Sequence, residues 1–249
     1  MYTYSPIEDC YATKKKIIIF RNEIASLRNT KKTINILDFG CGNANDFGKY
    51  FFNDVDHYLG YDIHSDSIDF AKNKFSNKNI KFTTKIPKTL FDVIMISEVL
   101  EHLEDPLKVL IILNGLLKED GIILASTPNG FGLTEIEKFI IHKFGIYKMA
   151  KKFYRFIKKK KNNLLIQNQI PFNYESGHIQ FFTFAKLKSI ISEASLKLVF
   201  IKNGSIMGAD LSGSTFLKFD FTKKINTFFA DYLPTSLSAT WIFKLQKYD

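Results

Sequence analysis

A chain of 249 residues with 45% hydrophobic and 24% charged side chains can form one α/β domain with a full core. The formal charge of +10 would suit a nucleic-acid partner, but nine Lys and one Arg fall between Lys138 and Lys161 with no acidic residue among them. The remainder of the chain is therefore neutral, which excludes a generally basic surface, and no nucleic acid is expected as partner. Met1 to Cys10 carries Glu8 and Asp9 without an apolar stretch, so no secretory signal is read there. The most apolar helix-like run, Leu107 to Leu117, is too short to span a bilayer. The two cysteines, Cys10 and Cys41, are expected to be reduced thiols, and a cytoplasmic location follows.

Taken in order, Tyr11 to Leu27 places Ile17, Phe20, Ile24 and Leu27 at helical spacing and predicts an amphipathic helix covering one side of a sheet. Ile34 to Asp38 reads as a buried parallel strand, followed by the turn Phe39-Gly40-Cys41-Gly42 and a helix from about Ala44 to Phe52. The glycines let the backbone turn sharply and approach a ligand, and such a helix would aim its first amides at that ligand. His57 to Asp62 is a second strand ending in an acid, and Ser65 to Asn73 the next helix. In a parallel sheet Asp62 then lies beside the glycine turn, where a carboxylate can accept hydrogen bonds from both hydroxyls of a ribose. Equally, Asp62 can cap the helix that starts near Ser65.

Ile80 to Thr83 and Phe91 to Ser97 are the third and fourth strands. Glu98-Val99-Leu100-Glu101-His102-Leu103 follows, then a helix from Pro106 to Leu117 and a fifth strand from Gly121 to Ser126. Strands alternating with helices imply a doubly wound sheet with ligands at the carboxyl ends of its strands.

Asp38-Phe39-Gly40-Cys41-Gly42, Asp62, Phe91-Asp92-Val93-Ile94, Glu98 to Leu103 and Ser126-Thr127-Pro128-Asn129-Gly130 resemble the successive motifs of class I S-adenosylmethionine-dependent methyltransferases. The nearest branch is the one containing ubiquinone-type and sugar or small-molecule O-methyltransferases, and His178 to Thr183 with its following helix resembles that branch again. The resemblance implies a Rossmann-like, seven-stranded, mostly parallel sheet with helices on both faces. Leu196 to Lys202 and Ala239 to Leu245 would complete it, the second inserted antiparallel beside the first. It also implies S-adenosylmethionine as cofactor. Gly40 and Gly42 would line its amino-acid end, with Asp38 and Cys41 of the same motif also in the cofactor site, Asp62 would hold its ribose, Ile63 would pack against it, and Ser97 and Glu98 would lie beside the methyl-transfer site. Ala44 stands where many members carry another glycine, and Thr83-Thr84-Lys85 where an acid often meets the adenine amino group. A dinucleotide enzyme is disfavoured, because Asn45 stands where that fingerprint requires its third glycine.

Methyl transfer to a hydroxyl needs alignment and a base. His102 and His178 are the candidate bases, and a helix from Val99 would put Glu98 and His102 on one face. Cys41 as a nucleophile is disfavoured, since no base neighbours it in sequence. Glu98, Glu101 and His102 could instead hold a divalent metal, by analogy with the ubiquinone-type relatives, although none is expected.

Residues 1–249 are read as a single domain with two insertions on the acceptor side, 131–177 and 212–237. The first interleaves the ten cationic residues with aromatic and aliphatic ones. It suits a lid, a phosphate site for a nucleotide- or lipid-linked substrate, or a peripheral membrane contact through 138–162. The second, with Phe216, Phe219, Phe221, Phe228 and Tyr232, suits an acceptor wall or a subunit contact. The expected function is O-methylation of a small, sugar-like or anionic acceptor, with a quinone precursor or a non-catalytic binding role as alternatives.

Overall fold

The computed structural model describes residues 12–132, 179–207, 217 and 219–248. Helix α1 (Thr13–Leu27) leads into β1 (Asn35–Phe39), β2 (His57–Tyr61), α2 (Ser65–Phe75), β3 (Ile80–Thr83) and β4 (Phe91–Ser97). Then follow α3 (Pro106–Leu116), β5 (Leu117–Pro128), α4 (Phe184–Glu193), β6 (Leu196–Asn203), α5 (Asp220–Ala230) and β7 (Thr240–Lys247). The seven strands form one sheet in the order β3-β2-β1-β4-β5-β7-β6. β3 through β5 pair in parallel, and β7 is inserted antiparallel between β5 and β6. The seven-stranded, Rossmann-like arrangement expected from the sequence is therefore present.

Alternation along the central strands sends side chains to two cores. Ile36, Val93, Met95 and Leu124 pack with Ile17, Phe20 and Ile24 of α1 and with Ile68 of α2. Leu37, Ile94, Ile96 and Ile123 pack with Leu110 and Leu113 of α3 and with Leu187 and Ile191 of α4. Near-continuous apolar strands are what a sheet covered on both faces requires.

Two local expectations are corrected. No α-helix spans Ala44 to Phe52: Ala44 is left-handed at φ 57°, turns follow, and only Gly48–Phe51 forms a short 3-10 helix. The Asn43 carboxamide accepts the Asn45 amide at 2.9 Å, a local bond that competes with helix formation. The amides beside the glycine turn are thus those of a loop. Nor does a helix begin at Val99. Glu98 is itself left-handed at φ 54°, and only Leu100–His102 forms a 3-10 turn, so Glu98 and His102 do not share a helical face.

Motif residue Asp92 lies at the start of β4, the opposite end from the strand termini that bind ligands. It is buried there between Lys31 (3.0 Å) and Lys118 (2.8 Å) and accepts the Asn35 amide, which makes it an anchor of the sheet. Most of 131–177, all of 1–11 and part of 212–237 lie outside the described residues.

Asp38 is buried near the end of β1 and accepts the Tyr58 hydroxyl, and both sit against Gly48, where a side chain would meet each of them. Burial, aided by Asp62 and opposed by the Tyr58 bond, pushes its carboxyl up from 3.8 to about 7. The folded protein thus holds a proton that the unfolded chain releases, and this contribution to stability is lost as pH rises from about 4 through about 7. Asp38→Asn is expected to flatten that decline, which is at most about 1.4 kcal/mol per pH unit, in denaturant melts across this range.

Candidate active site at the carboxyl ends of the strands

The turn after β1 is pinned to β2. Tyr61 O accepts the amides of Gly40 (2.8 Å) and Cys41 (3.0 Å), and the Asp62 carboxylate accepts those of Gly42 (2.8 Å) and His64 (2.9 Å). Asp62 is not the cap of α2; that position is His64, which makes no side-chain capping bond. Gly40 and Gly42 are both left-handed, at φ 79° and 53°. They differ in what surrounds them. A Cβ on Gly40 would lie 2.5 Å from a Val99 methyl, whereas one on Gly42 would meet nothing within 4 Å. Above Gly42 there is room for a ligand, and Ile63 stands exposed next to Asp62.

At the ends of β4 and β5 a buried lysine gathers the polar side chains. Lys16 of α1 is 3% exposed, and its ammonium donates to Ser97 Oγ (2.9 Å), Glu98 Oε1 (2.9 Å) and Ser126 Oγ (3.0 Å). Ser126 also donates to Glu98 at 2.6 Å, and the Phe47 ring lies 5.3 Å from the ammonium. The Glu98 amide donates to Ser126 O, which holds this residue in its left-handed conformation. Cation and carboxylate neutralise one another at the point where the chain leaves β4.

Glu101 is buried and accepts from Thr127 Oγ1 at 3.2 Å, while its other oxygen, Oε1, has no hydrogen-bond partner. Burial and the neighbouring Glu98 push its carboxyl well above the ordinary range. His102, 40% exposed, lies with Nε2 3.9 Å from that oxygen. The segment after His178 docks here, since Ile179 and Gln180 both donate to Glu101 O. His178 itself lies outside the described residues.

The predicted residues therefore fall into two groups at one edge of the sheet: Gly40, Gly42, Asp62 and Ile63 at β1 and β2, and Ser97, Glu98 and His102 at β4. Asp38 and Cys41 are turned inward. Burial, with Asp38 and Asp62 nearby, pushes the Cys41 thiol up, which favours the protonated form over the nucleophilic thiolate. Of the three candidate metal ligands Glu98, Glu101 and His102, the first is paired with Lys16 instead. Among the described residues no group of three His, Cys, Asp or Glu side chains is gathered closely enough to hold a metal ion. Lys16 is the residue that the sequence reading missed. Its position four before Phe20 on the buried face of α1 was the available signal.

Residues 14–200 match the model of a family described as a methyltransferase domain. Solved structures with a similar fold include an S-adenosylmethionine-dependent methyltransferase from Clostridium acetobutylicum, at 11% identity over 96% of this chain and 92% of that one (TM-score 0.56). Another from Mesorhizobium loti is 11% identical over 90% of this chain and 96% of that one (TM-score 0.55). PKMT2 from Rickettsia typhi in complex with AdoHcy is 16% identical over 86% of this chain and 49% of that one (TM-score 0.51). The search of curated proteins finds no match.

The two glycines of the turn separate folding from access. Gly40→Ala combines left-handed strain of about 1–2 kcal/mol with overpacking against Val99 of about 1–3 kcal/mol. Gly42→Ala carries the strain alone. Thermal melts are expected to show a clearly larger drop for Gly40→Ala.

Proposed function

The chain belongs to the methyltransferase domain family and is an S-adenosylmethionine-dependent methyltransferase, and on that premise we propose that it methylates an oxygen of a small, sugar-like or phosphate-linked sugar acceptor. The observation that carries the reading is the pairing, at one edge of the sheet, of an open glycine turn braced by Asp62 with the Lys16, Ser97, Glu98 and Ser126 cluster. Asp62 is the residue to hold a ribose, having lone pairs beyond the two amides it accepts. Ile63 offers an apolar surface for the base, and the space above Gly42 suits the amino-acid end of the donor. Bound there, the donor supplies a methyl group on a sulfonium, ready for in-line displacement.

What the chain must then contribute is alignment and removal of a proton from the acceptor hydroxyl. His102 is the described residue best suited to the second task. It is partly exposed, and its Nε2 lies 3.9 Å from Glu101 Oε1, next to the turn that leaves β4. Lys16 and Ser126 hold Glu98 in place beside the reacting centre, and Ser97 braces both of them. A sugar phosphate is favoured as acceptor because the first insertion, residues 131–177, is rich in lysine, which suits phosphate. Assembly of a surface polysaccharide is the setting this acceptor suggests.

Calorimetry with S-adenosylhomocysteine should show binding that weakens at least about tenfold in Asp62→Ala, as loss of a charged hydrogen-bond acceptor requires. Unchanged affinity would remove Asp62 from the donor site. With candidate sugar phosphates as acceptors, His102→Ala should lower turnover by about 100-fold or more while leaving that affinity intact. Full turnover in the variant would transfer the base role elsewhere.

A further inference from the structure

Helix α5 is built inside out. Its inward face carries Lys223, Asn226 and Ala230, all buried. Asn226 is committed to the backbone of the segment before it, donating to Met207 O (2.9 Å) and accepting the amides of Ile206 and Met207. Phe221, Ile225, Phe228, Phe229 and Tyr232 recur at helical spacing on the outward face. Phe221 is 71% and Tyr232 72% exposed, with Phe228 and Phe229 at 57% and 50%. Phe219, 69% exposed, extends the stripe in front of the helix, and Ile18 of α1 continues it across the neighbouring surface at 59%. Scattered exposed apolar residues are ordinary, but a contiguous aromatic stripe on one helix marks an interaction surface.

Charge identifies the partner. Beside the stripe a groove of about 930 Å³ runs between α1 and α5, and Lys14, Lys15, Lys202, Lys223 and Lys224 line it with Ile18 and Phe228. Two acids are present. Asp231 is paired with Lys15 at 2.6 Å, and Asp220 lies 3.5 Å from Lys223, so the lysines outnumber them. An aromatic face bordered by lysines is the composition that lies in the plane of an anionic membrane: rings enter the interface while ammonium groups meet lipid phosphates. A protein partner would be expected to meet a surface less rich in lysine.

Position gives the surface a role. Asn203, at the end of β6, donates to Ala230 O and Leu233 O at 2.8 Å, fixing the end of α5. Asn203 pairs with Trp241, and Trp241 with Thr127, the residue that holds Glu101. Lys15 ties α1 to α5 through Thr227 O at 2.9 Å, while the next residue, Lys16, reaches Glu98. The stripe therefore lies at the same edge of the sheet as the candidate active site. From this geometry we infer that the α5 stripe and its lysine groove dock the protein onto an anionic membrane surface with the active-site edge beside the lipid.

The test is sedimentation of the full chain with vesicles of phosphatidylcholine alone or mixed with phosphatidylglycerol, across a salt series. Wild type should pellet with the mixed vesicles at low salt and not with phosphatidylcholine alone. Replacing Phe221, Phe228 and Tyr232 together by Ser should weaken binding by about tenfold or more. Circular dichroism and S-adenosylhomocysteine affinity should stay unchanged. If the triple variant fails that folding check, Lys14→Glu with Lys224→Glu serves in its place, with the same expected loss. Failure of wild type to bind mixed vesicles would overturn the inference. So would undiminished binding by a folded variant, which would move the contact to another part of the chain such as 138–162. A wild-type dimer in ultracentrifugation that the triple variant dissolves would equally overturn it, by making the stripe a subunit contact.

Discussion

The Asp62 carboxylate, held at the end of β2, fixes the backbone of the β1 turn by accepting the Gly42 amide, and the rest of the site is arranged around that bond. Without it a left-handed glycine over open space has little to keep it in one conformation. Tyr61 O takes the two preceding amides, so three successive donors of the turn are spoken for by β2. Gly40 in turn lies against Val99, which ties the β1 turn to the segment leaving β4. The two halves of the candidate site are therefore mechanically one.

Lys16 is the second constraint. A lysine buried to this degree is tolerated only when its charge is matched and its protons are used, and here one carboxylate and two hydroxyls meet the ammonium. Its neighbour Lys15 binds the backbone and Asp231 near the end of α5. One helix thus connects the polar cluster at the active-site edge to the aromatic surface outside it. That link gives the proposed membrane face its relation to the chemistry.

Much of the fold was legible because its strands are long apolar runs buried on both faces. β3 and β4 begin and end where the pattern placed them, and β1 is displaced by one residue. The glycine turn and Asp62 were legible for a different reason, since only certain residue types allow a tight turn followed by an acid at the next strand end. The stretch after β1 reads as a helix in the sequence, and the one after β4 admits a helix from Val99, but local forces prevail at both. Asn43 bonds its own backbone neighbourhood, and Glu98 enters the left-handed region to keep its bond with Ser126. Lys16 was hidden within the run Lys14-Lys15-Lys16, which on composition alone reads as solvated charge. The side-chain role of Asp92, by contrast, lies in tertiary ion pairs that no local pattern encodes.

A crystal structure of the chain with S-adenosylhomocysteine tests the central claim most directly. The account predicts ribose hydroxyls on Asp62, the amino-acid end above Gly42, and the sulfur facing Ser97 and Glu98. A ligand seated in the groove between α1 and α5, or anywhere that leaves Asp62 bonded only to its two amides, would contradict it.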